Sequence, residues 1–318
     1  MEEILSVKNL SMGFNTEKGF RPALFDVSFS IKKGQMHALV GESGCGKSMS
    51  AMSILNLLPK TALVKNGDVI FKGKSLFSLT QTEMQEIRGS KIALIPQDPM
   101  TSLNPLFTIG NQLVEVIELH QNLSGIYAKE KAIEALKKVQ IPSAEERFYQ
   151  YPHEFSGGMK QRAIIAMALA CNAELIIADE PTTALDVTTQ AQIMNLLSDI
   201  KNKFGTSILL ITHDLALVSQ YADEVSVMYA GRIVENAPTE EFFAKTNHPY
   251  SIGLLKSLPK NREQKLSVIK GQPPSIMDDI SGCRFHNRCK FNIPNLCNRK
   301  VPELKPIKKN HCSACFLN

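Results

Sequence analysis

The run Gly41-Glu42-Ser43-Gly44-Cys45-Gly46-Lys47-Ser48 fits Gly-x4-Gly-Lys-Ser/Thr. Glycines at these places let successive backbone N–H groups close around phosphate oxygens. Helical periodicity begins at Lys47, so the amino-terminal end of a helix also faces the anion. In this pattern the lysine reaches the β- and γ-phosphates and the hydroxyl of Ser48 ligates Mg²⁺. Cys45, inside the loop, is most simply a small filler. A second constellation is Leu175-Ile176-Ile177-Ala178-Asp179-Glu180, an apolar run ending in two carboxylates. Asp179 suits a contact to the hydrated Mg²⁺, and Glu180 can orient and polarise an attacking water. Ser156-Gly157-Gly158-Met159 feeds backbone amides into another helix start, a second phosphate-facing surface. One nucleotide does not need two such cradles from one chain, so this one is expected to act on a nucleotide held by a partner subunit. The simpler reading of the same residues is a capping turn, since serine is a favoured helix N-cap. Gln97 and His213 each follow a predicted strand, at the carboxyl ends where α/β folds place their sites.

Cysteine is unevenly distributed. Of seven in the chain, five lie between Cys283 and Cys315. An odd count without an export signal argues against a disulfide framework. A dense thiol group points to a metal site instead. The spacings are Cys283-x5-Cys289-x7-Cys297, then Cys312-x2-Cys315. Four thiolates suit a [4Fe–4S] cluster or a tetrahedral Zn²⁺ equally.

The elements that must position these groups are legible from periodicity. Met36–Val40, Lys91–Ile95, Leu175–Ala178 and Ser207–Ile211 read as strands. Their continuous apolar character suits strands buried on both faces of a parallel sheet. A helix is expected from Lys47 to Leu58, stopped by Pro59. A helix-rich stretch follows at roughly 111–140. In it Ala128–Val139 is amphipathic, with Ile133, Leu136 and Val139 on one face. Thr189–Phe204 places Ile193, Leu196, Leu197, Ile200 and Phe204 on another apolar stripe. Both stripes are read as core. Strands alternating with helices predict an α/β fold. Near residue 245 the character changes to a polar, proline-containing stretch and then the basic, cysteine-rich tail. A boundary there makes 246–318 an appended small domain, which a metal staple would help to fold.

With 318 residues, 43 % of them hydrophobic and 21 % charged, the chain is of ordinary globular composition and long enough for a sizeable core. Tryptophan is absent and aromatics are 7 %, which disfavours an aromatic platform for single-stranded nucleic acid. Ala163–Ala170 and Ile208–Ile211 fall far short of the roughly 20 apolar residues of a membrane span. The acidic start Met1-Glu2-Glu3 is not followed by a signal-type apolar core, so a cytoplasmic chain is expected. The net charge of +5 conceals a split. Residues 1–240 hold 22 Lys and Arg against 26 Asp and Glu, while 241–318 hold 14 against 5. That basic tail is a solvated surface, or it faces an anionic partner, or it offsets a negatively charged cluster.

Taken together, these motifs resemble the ATP-binding subunit of an ABC transporter, over residues 1 to about 240. Gly41–Ser48 stands as Walker A and Leu175–Glu180 as Walker B with its catalytic glutamate. Gln97 is the Q-loop, Phe155–Met159 the signature, Ala184-Leu185-Asp186 the D-loop and His213 the switch histidine. The tail resembles the peptide/nickel/opine importers, through His248-Pro249-Tyr250, Gly271-Gln272-Pro273-Pro274 and Gly282–Cys289. The wording around Tyr151–Met159 is close to the oligopeptide and dipeptide members.

The resemblance implies a P-loop ABC nucleotide-binding domain over 1–245, with a helical subdomain at roughly 100–172, and the Cys-rich extension over 246–318. It implies ATP hydrolysis that drives import of di- or oligopeptides. Nickel or another small solute is the alternative cargo, and a soluble ATPase acting on nucleic acid or ribosomes the remote one. ATP would contact Gly41–Ser48, the residue after them, Met49, and Gln97 and Asp179, with adenine stacked on Phe14. Mg²⁺ would be held by Ser48, Gln97 and Asp179. Glu180 and His213 would be catalytic, Ser156–Met159 would face the partner's ATP, and Asp186 would belong to the D-loop. The resemblance implies a [4Fe–4S] cluster, with Zn²⁺ as the alternative, held by Cys283, Cys289, Cys297 and Cys315, with Cys312 as a substitute for the last. The implied partners are a related second ATPase, as heterodimer or homodimer, two permease subunits docked through Pro99–Gly110 and, indirectly, an extracytoplasmic substrate-binding protein. No nucleic acid is implied. The implied location is peripheral, on the cytoplasmic face of the inner membrane. Phe155 and Met159 depart from the Leu and Gln of the wider superfamily, and Met49 stands where many relatives carry a hydroxyl.

Overall fold

The computed structural model describes residues 2–183, 185–257, 269–275 and 278–318. Ala184 of the expected D-loop, and most of the polar stretch that follows Ser257, lie outside the described residues. The chain forms two compact units. One comprises Met1–Phe77 with Ile211–Asn318, the other Ser78–Leu210.

The first unit holds an antiparallel sheet in the order Gly19–Lys32, Glu3–Thr16, Ala62–Phe71, Lys74–Ser75. Sequence periodicity did not mark these strands out, because bulges interrupt their alternation between Val7 and Leu10 and again near Met12. The same unit holds strands in the order Lys305–Lys308, His311–Ser313, Arg232–Pro238, Glu224–Tyr229, Met36–Val40. Met36–Val40 runs parallel to Glu224–Tyr229 and all five of its residues are buried, as its continuous apolar sequence predicts. The Cys-bearing segment joins this unit by backbone pairing, with Cys312 opposite Asn236 and Ser313 opposite Glu235. Glu235 is fully buried. Its carboxylate accepts from the N–H groups of Asn247 and His248 at 2.7 and 3.1 Å and lies 2.9 Å from His311 Nε2. A buried carboxylate is tolerated because its oxygens are so met.

In the second unit Ile92–Ile95 pairs in parallel with Leu175–Asp179, Ala93 opposite Ile176 and Ile95 opposite Ala178. Between these strands in sequence lie Pro99–Ser102, Ile109–Gln121, Gly125–Lys138, Ala144–Arg147 and Gly157–Ala170. Arg162 ties the last of these to its neighbours, donating to Val139 O at 2.7 Å and Gln192 Oε1 at 3.0 Å. Ala128, Ala132, Ala135 and Leu136 form the buried stripe of Gly125–Lys138.

Two local expectations are corrected. The helix after the phosphate loop spans Lys47–Ile54 and stops before Pro59 is reached. Asn56 takes φ 49°, with Leu57 N–H donating to Met52 O and Asn56 N–H to Ser53 O. That is a Schellman ending, in which asparagine adopts the left-handed conformation at little cost. Phe204 ends the helix Val187–Phe204 and is exposed rather than core, its ring covered by the Lys138 ammonium 5.7 Å from the centroid. The turn that carries it leads directly into Gly205, so its side chain has left the buried stripe.

Candidate nucleotide-binding site

The phosphate loop lies in the first unit, as the turn from the strand Met36–Val40 into the helix Lys47–Ile54. Its residues are set by close packing. A Cβ on Gly41 would stand 2.2 Å from Met228 O, so only glycine fits. Gly46 takes φ 110° as the helix N-cap, a conformation that side chains rarely adopt. Lys47 is 5 % exposed, and its ammonium donates to Gly41 O at 2.8 Å and Glu42 O at 3.1 Å. It is thereby held over the loop's own carbonyls, curled at the place an anion would take. Cys45 is buried, its carbonyl accepts from Gly231 N–H at 2.8 Å, and burial raises its thiol pKa. It fills space as a neutral thiol. Ser43, Gly44 and Ser48 are exposed, and Met49 is half-buried.

Two residues outside the motif hold this loop. Glu42 N–H donates to Tyr250 Oη at 2.9 Å, and the Glu42 carboxylate receives both ends of the Arg288 guanidinium at 2.6 and 3.0 Å. The excess of positive charge in the tail was legible beforehand. Its pairing with the loop was not, because 246 residues separate the partners. Phe14 is half-buried on the strand Glu3–Thr16. The alternative aromatic, Phe20, has the Lys65 ammonium 4.7 Å over its ring. His213 is exposed just past the strand Ser207–Thr212.

The second unit carries the carboxylates. Asp179 is buried at the tip of Leu175–Asp179. Glu180 follows with φ 47°, a left-handed conformation that costs a non-glycine residue about 1 kcal/mol or more. Gln97 Nε2 donates to Glu180 Oε2 at 3.1 Å and Thr183 Oγ1 donates to the same oxygen at 3.0 Å. The structure thus brings Gln97 and Glu180 together, as their shared position past parallel strands predicts. Thr183 was not singled out.

Ser156 caps the helix Gly157–Ala170 by accepting from Met159 N–H at 3.3 Å. Asp186 caps Val187–Phe204 in the same way, and two donors from Thr189 hold its pKa below the usual carboxylate range. A Cβ on Gly158 would meet Thr189 Cγ2 at 2.6 Å, so the two helix starts abut. Ser156 and Asp186 are exposed, and Val187 is 82 % exposed. Beyond Gln97, the residues Met100, Leu106 and Phe107 are also large, apolar and exposed, Leu106 at 79 %.

Among the described residues, no group of three or more His, Cys, Asp or Glu side chains is arranged to hold a metal ion. The expected iron–sulfur or zinc site is therefore not formed as a ligand cage, and all seven cysteines are free thiols. Four of the thiols are near enough to influence one another's ionisation. Burial pushes Cys283 up to about 11, and the charges of Cys297, Cys289 and Cys315 add to that shift. Cys289 and Cys315 are likewise raised by burial and by Cys297. Cys312 responds to burial and Glu224 instead, so Cys315, not Cys312, keeps company with the other three.

The model of the ABC transporter family matches residues 24–183, and that of the oligopeptide/dipeptide transporter C-terminal region matches 234–297. A protein of Sinorhizobium fredii named as a peptide ABC transporter ATP-binding protein is 50 % identical, covering 98 % of this chain and 94 % of its own. The oligopeptide transport ATP-binding protein OppD of Bacillus subtilis is 48 % identical over 99 % of this chain and 89 % of its own. The dipeptide transport ATP-binding protein DppD of the same organism is 46 % identical over 100 % and 95 %. Among solved structures, the ATP-binding cassette MJ0796, a dimer bound to ADP and Pi, superposes with a TM-score of 0.66 at 28 % identity, over 74 % of this chain and 98 % of that one. Strands flanking a glycine-rich phosphate loop, a strand tip bearing paired carboxylates and a capped signature turn are what such a cassette requires, and the chain belongs to the ABC transporter family as an ATP-binding subunit carrying the oligopeptide/dipeptide-transporter type of C-terminal region.

Proposed function

We propose that this subunit hydrolyses ATP to power the import of di- and oligopeptides through a membrane permease. The observation that carries the reading is the reach of the likeness. Proteins named for peptide, dipeptide and oligopeptide transport pair with 98 to 100 % of this chain, C-terminal region included.

In this reading residues 1–245 are the ATP-binding domain and 246–318 its extension. The amides of Ser43–Ser48 and the Lys47 ammonium receive the β- and γ-phosphates. Phe14 takes the adenine and Met49 borders the α-phosphate. Ser48, Gln97 and Asp179 would hold Mg²⁺, which would neutralise charge on the transferring phosphoryl group. Glu180 accepts a proton from the attacking water, with Gln97 and Thr183 fixing its carboxylate by hydrogen bonds to Oε2. His213 donates to the γ-phosphate oxygens. Ser156–Met159 face the ATP of a related second subunit, and Asp186 is the D-loop residue. The exposure of Ser156, and of Asp186 beside Val187, supports that. Met100, Leu106 and Phe107 offer the apolar surface that a permease would cover, on the cytoplasmic face of the membrane. No helix among the described residues is long and apolar enough to cross it. Cys283, Cys289, Cys297 and Cys315 would hold a [4Fe–4S] cluster or Zn²⁺, which would supply a covalent staple for a segment with little core of its own.

The test is uptake of labelled peptides of two to five residues, with labelled Ni²⁺ in parallel, in cells carrying Glu180→Gln. Loss of peptide uptake with normal Ni²⁺ uptake is expected. Loss of Ni²⁺ uptake alone would reassign the cargo.

A further inference from the structure

We infer that the C-terminal extension positions the phosphate loop, with Arg288 and Tyr250 as positioning residues for ATP binding. The inference rests on the reading of Gly41–Ser48 as the ATP site.

Arg288 is only 6 % exposed as a side chain, and it uses all five of its N–H donors. Nε donates to Lys270 O at 3.1 Å. One terminal nitrogen donates to Glu42 Oε2 at 2.6 Å and to Tyr229 Oη at 3.4 Å. The other donates to Glu42 Oε1 at 3.0 Å and to Gly271 O at 3.1 Å. A guanidinium so saturated is fixed in place, and its fork matches the carboxylate. Tyr250 is fully buried and its hydroxyl accepts the backbone N–H of the same Glu42. Position two of the loop is therefore gripped twice by the extension, once on its main chain and once on its side chain.

The grip is braced. Tyr229, Tyr250 and Phe285 pack as a trio with ring centroids 4.6 to 5.4 Å apart, and the Arg288 guanidinium lies 5.8 Å over Tyr229. Tyr229 follows Met228, whose carbonyl bounds Gly41. Two consequences follow. The loop is ordered before any phosphate arrives, so binding does not have to order it. The Glu42 carboxylate, which sits in a site for a polyanion, is neutralised. Without Arg288 it would repel the phosphates at short range. Arg288 ends the turn His286–Arg288 and directly precedes Cys289, so the thiol cluster and the loop's anchor share one turn of chain.

The experiment titrates the full-length subunit with the fluorescent nucleotide mant-ATP, alongside thermal melting and steady-state ATPase kinetics. Arg288→Ala is expected to weaken mant-ATP binding about tenfold, in the range of coupled ionic contacts, and to raise KM for ATP more than it lowers kcat. Arg288→Lys, which keeps the charge and loses the fork, falls between. Adding Glu42→Gln to Arg288→Ala recovers binding to within about threefold of wild type, because the repelling charge is gone. Tyr250→Phe, which removes one oxygen, weakens binding about threefold, the loss of one neutral hydrogen bond, and decides the matter if Arg288→Ala fails to fold. Binding within error of wild type in both Arg288→Ala and Tyr250→Phe overturns the inference, as does a double variant no tighter than Arg288→Ala. Lys47→Ala is the control. If it binds mant-ATP like wild type, the ATP reading of the loop falls, and the anchor with it.

Discussion

Replacing Glu180 by glutamine is a sharper perturbation here than its near-identical shape suggests. Two donors, Gln97 Nε2 at 3.1 Å and Thr183 Oγ1 at 3.0 Å, converge on the same carboxylate oxygen, Oε2. A glutamine satisfies both only with its carbonyl oxygen in that place. Its NH2 then stands where Oε1 stood, a donor facing the point at which a water proton must be accepted. Rotating the amide to restore an acceptor would oppose N–H to the Gln97 N–H, while the Thr183 hydroxyl can turn to accept, and forfeiting the one hydrogen bond costs about 1 kcal/mol. The wrong orientation is thus favoured by a factor of roughly 5. Loss of a general base lowers turnover by 10²–10⁴-fold, about 2.7–5.4 kcal/mol in the barrier. Folding should be unchanged within about 0.5 kcal/mol, since volume and backbone are kept. The assay is single-turnover phosphate release with the partner ATPase and permease present, with mant-ATP binding measured beside it. Binding intact and release slowed at least a hundredfold is expected. Release within a few-fold of wild type would falsify the role assigned to Glu180 and to the hydrogen bonds that aim it.

Gly41→Ala should destabilise the first unit by about 1–3 kcal/mol. The added Cβ meets the Met228 backbone carbonyl at 2.2 Å, which cannot swing aside as a side chain could, and denaturant melts read the loss. Stability should also fall on acidification below about pH 6.5. Burial depresses His37 to about 4 and His248 to about 3, so between those values and 6.5 the unfolded chain binds the protons and stability rises with pH. Each histidine contributes about 1.4 kcal/mol per pH unit in that window. His248→Asn keeps an N-cap over Pro249–Lys256 and should reduce the slope of stability against pH, and an unchanged slope would show that His248 does not titrate this way. Leu106→Ser with Phe107→Ser should leave melting and basal ATPase as they were and lower the stimulation by permease, because both side chains are exposed. Full stimulation in that variant would remove this surface from the docking face. For the thiols, Cys283→Ser should lower the iron or zinc content of anaerobically purified protein at least twofold while Cys312→Ser leaves it unchanged, and equal losses would undo the distinction between Cys312 and Cys315.

The sequence alone pointed to the family to which the chain belongs. Gly41–Ser48 is readable because phosphate binding needs particular residue types a few positions apart on one short turn, and local spacing survives any tertiary arrangement. Buried parallel strands are readable for a similar reason, as their apolar runs need no alternation. Local rules also set limits. The first helix ended at Asn56, which adopts the left-handed conformation more readily than most residues, ahead of the more conspicuous Pro59. Phe204 left its apolar stripe at the final turn. What tertiary structure alone decided is which distant groups meet. Gln97 and Thr183 converge on one oxygen of Glu180. Cys315 shares its electrostatic surroundings with Cys297, whereas Cys312 feels Glu224. Arg288 and Tyr250 grip Glu42 from more than 200 residues away. Such partners carry no periodicity and no fixed spacing. Their pairing follows from which surfaces the packed core brings within 3 Å, and a linear pattern does not encode that distance.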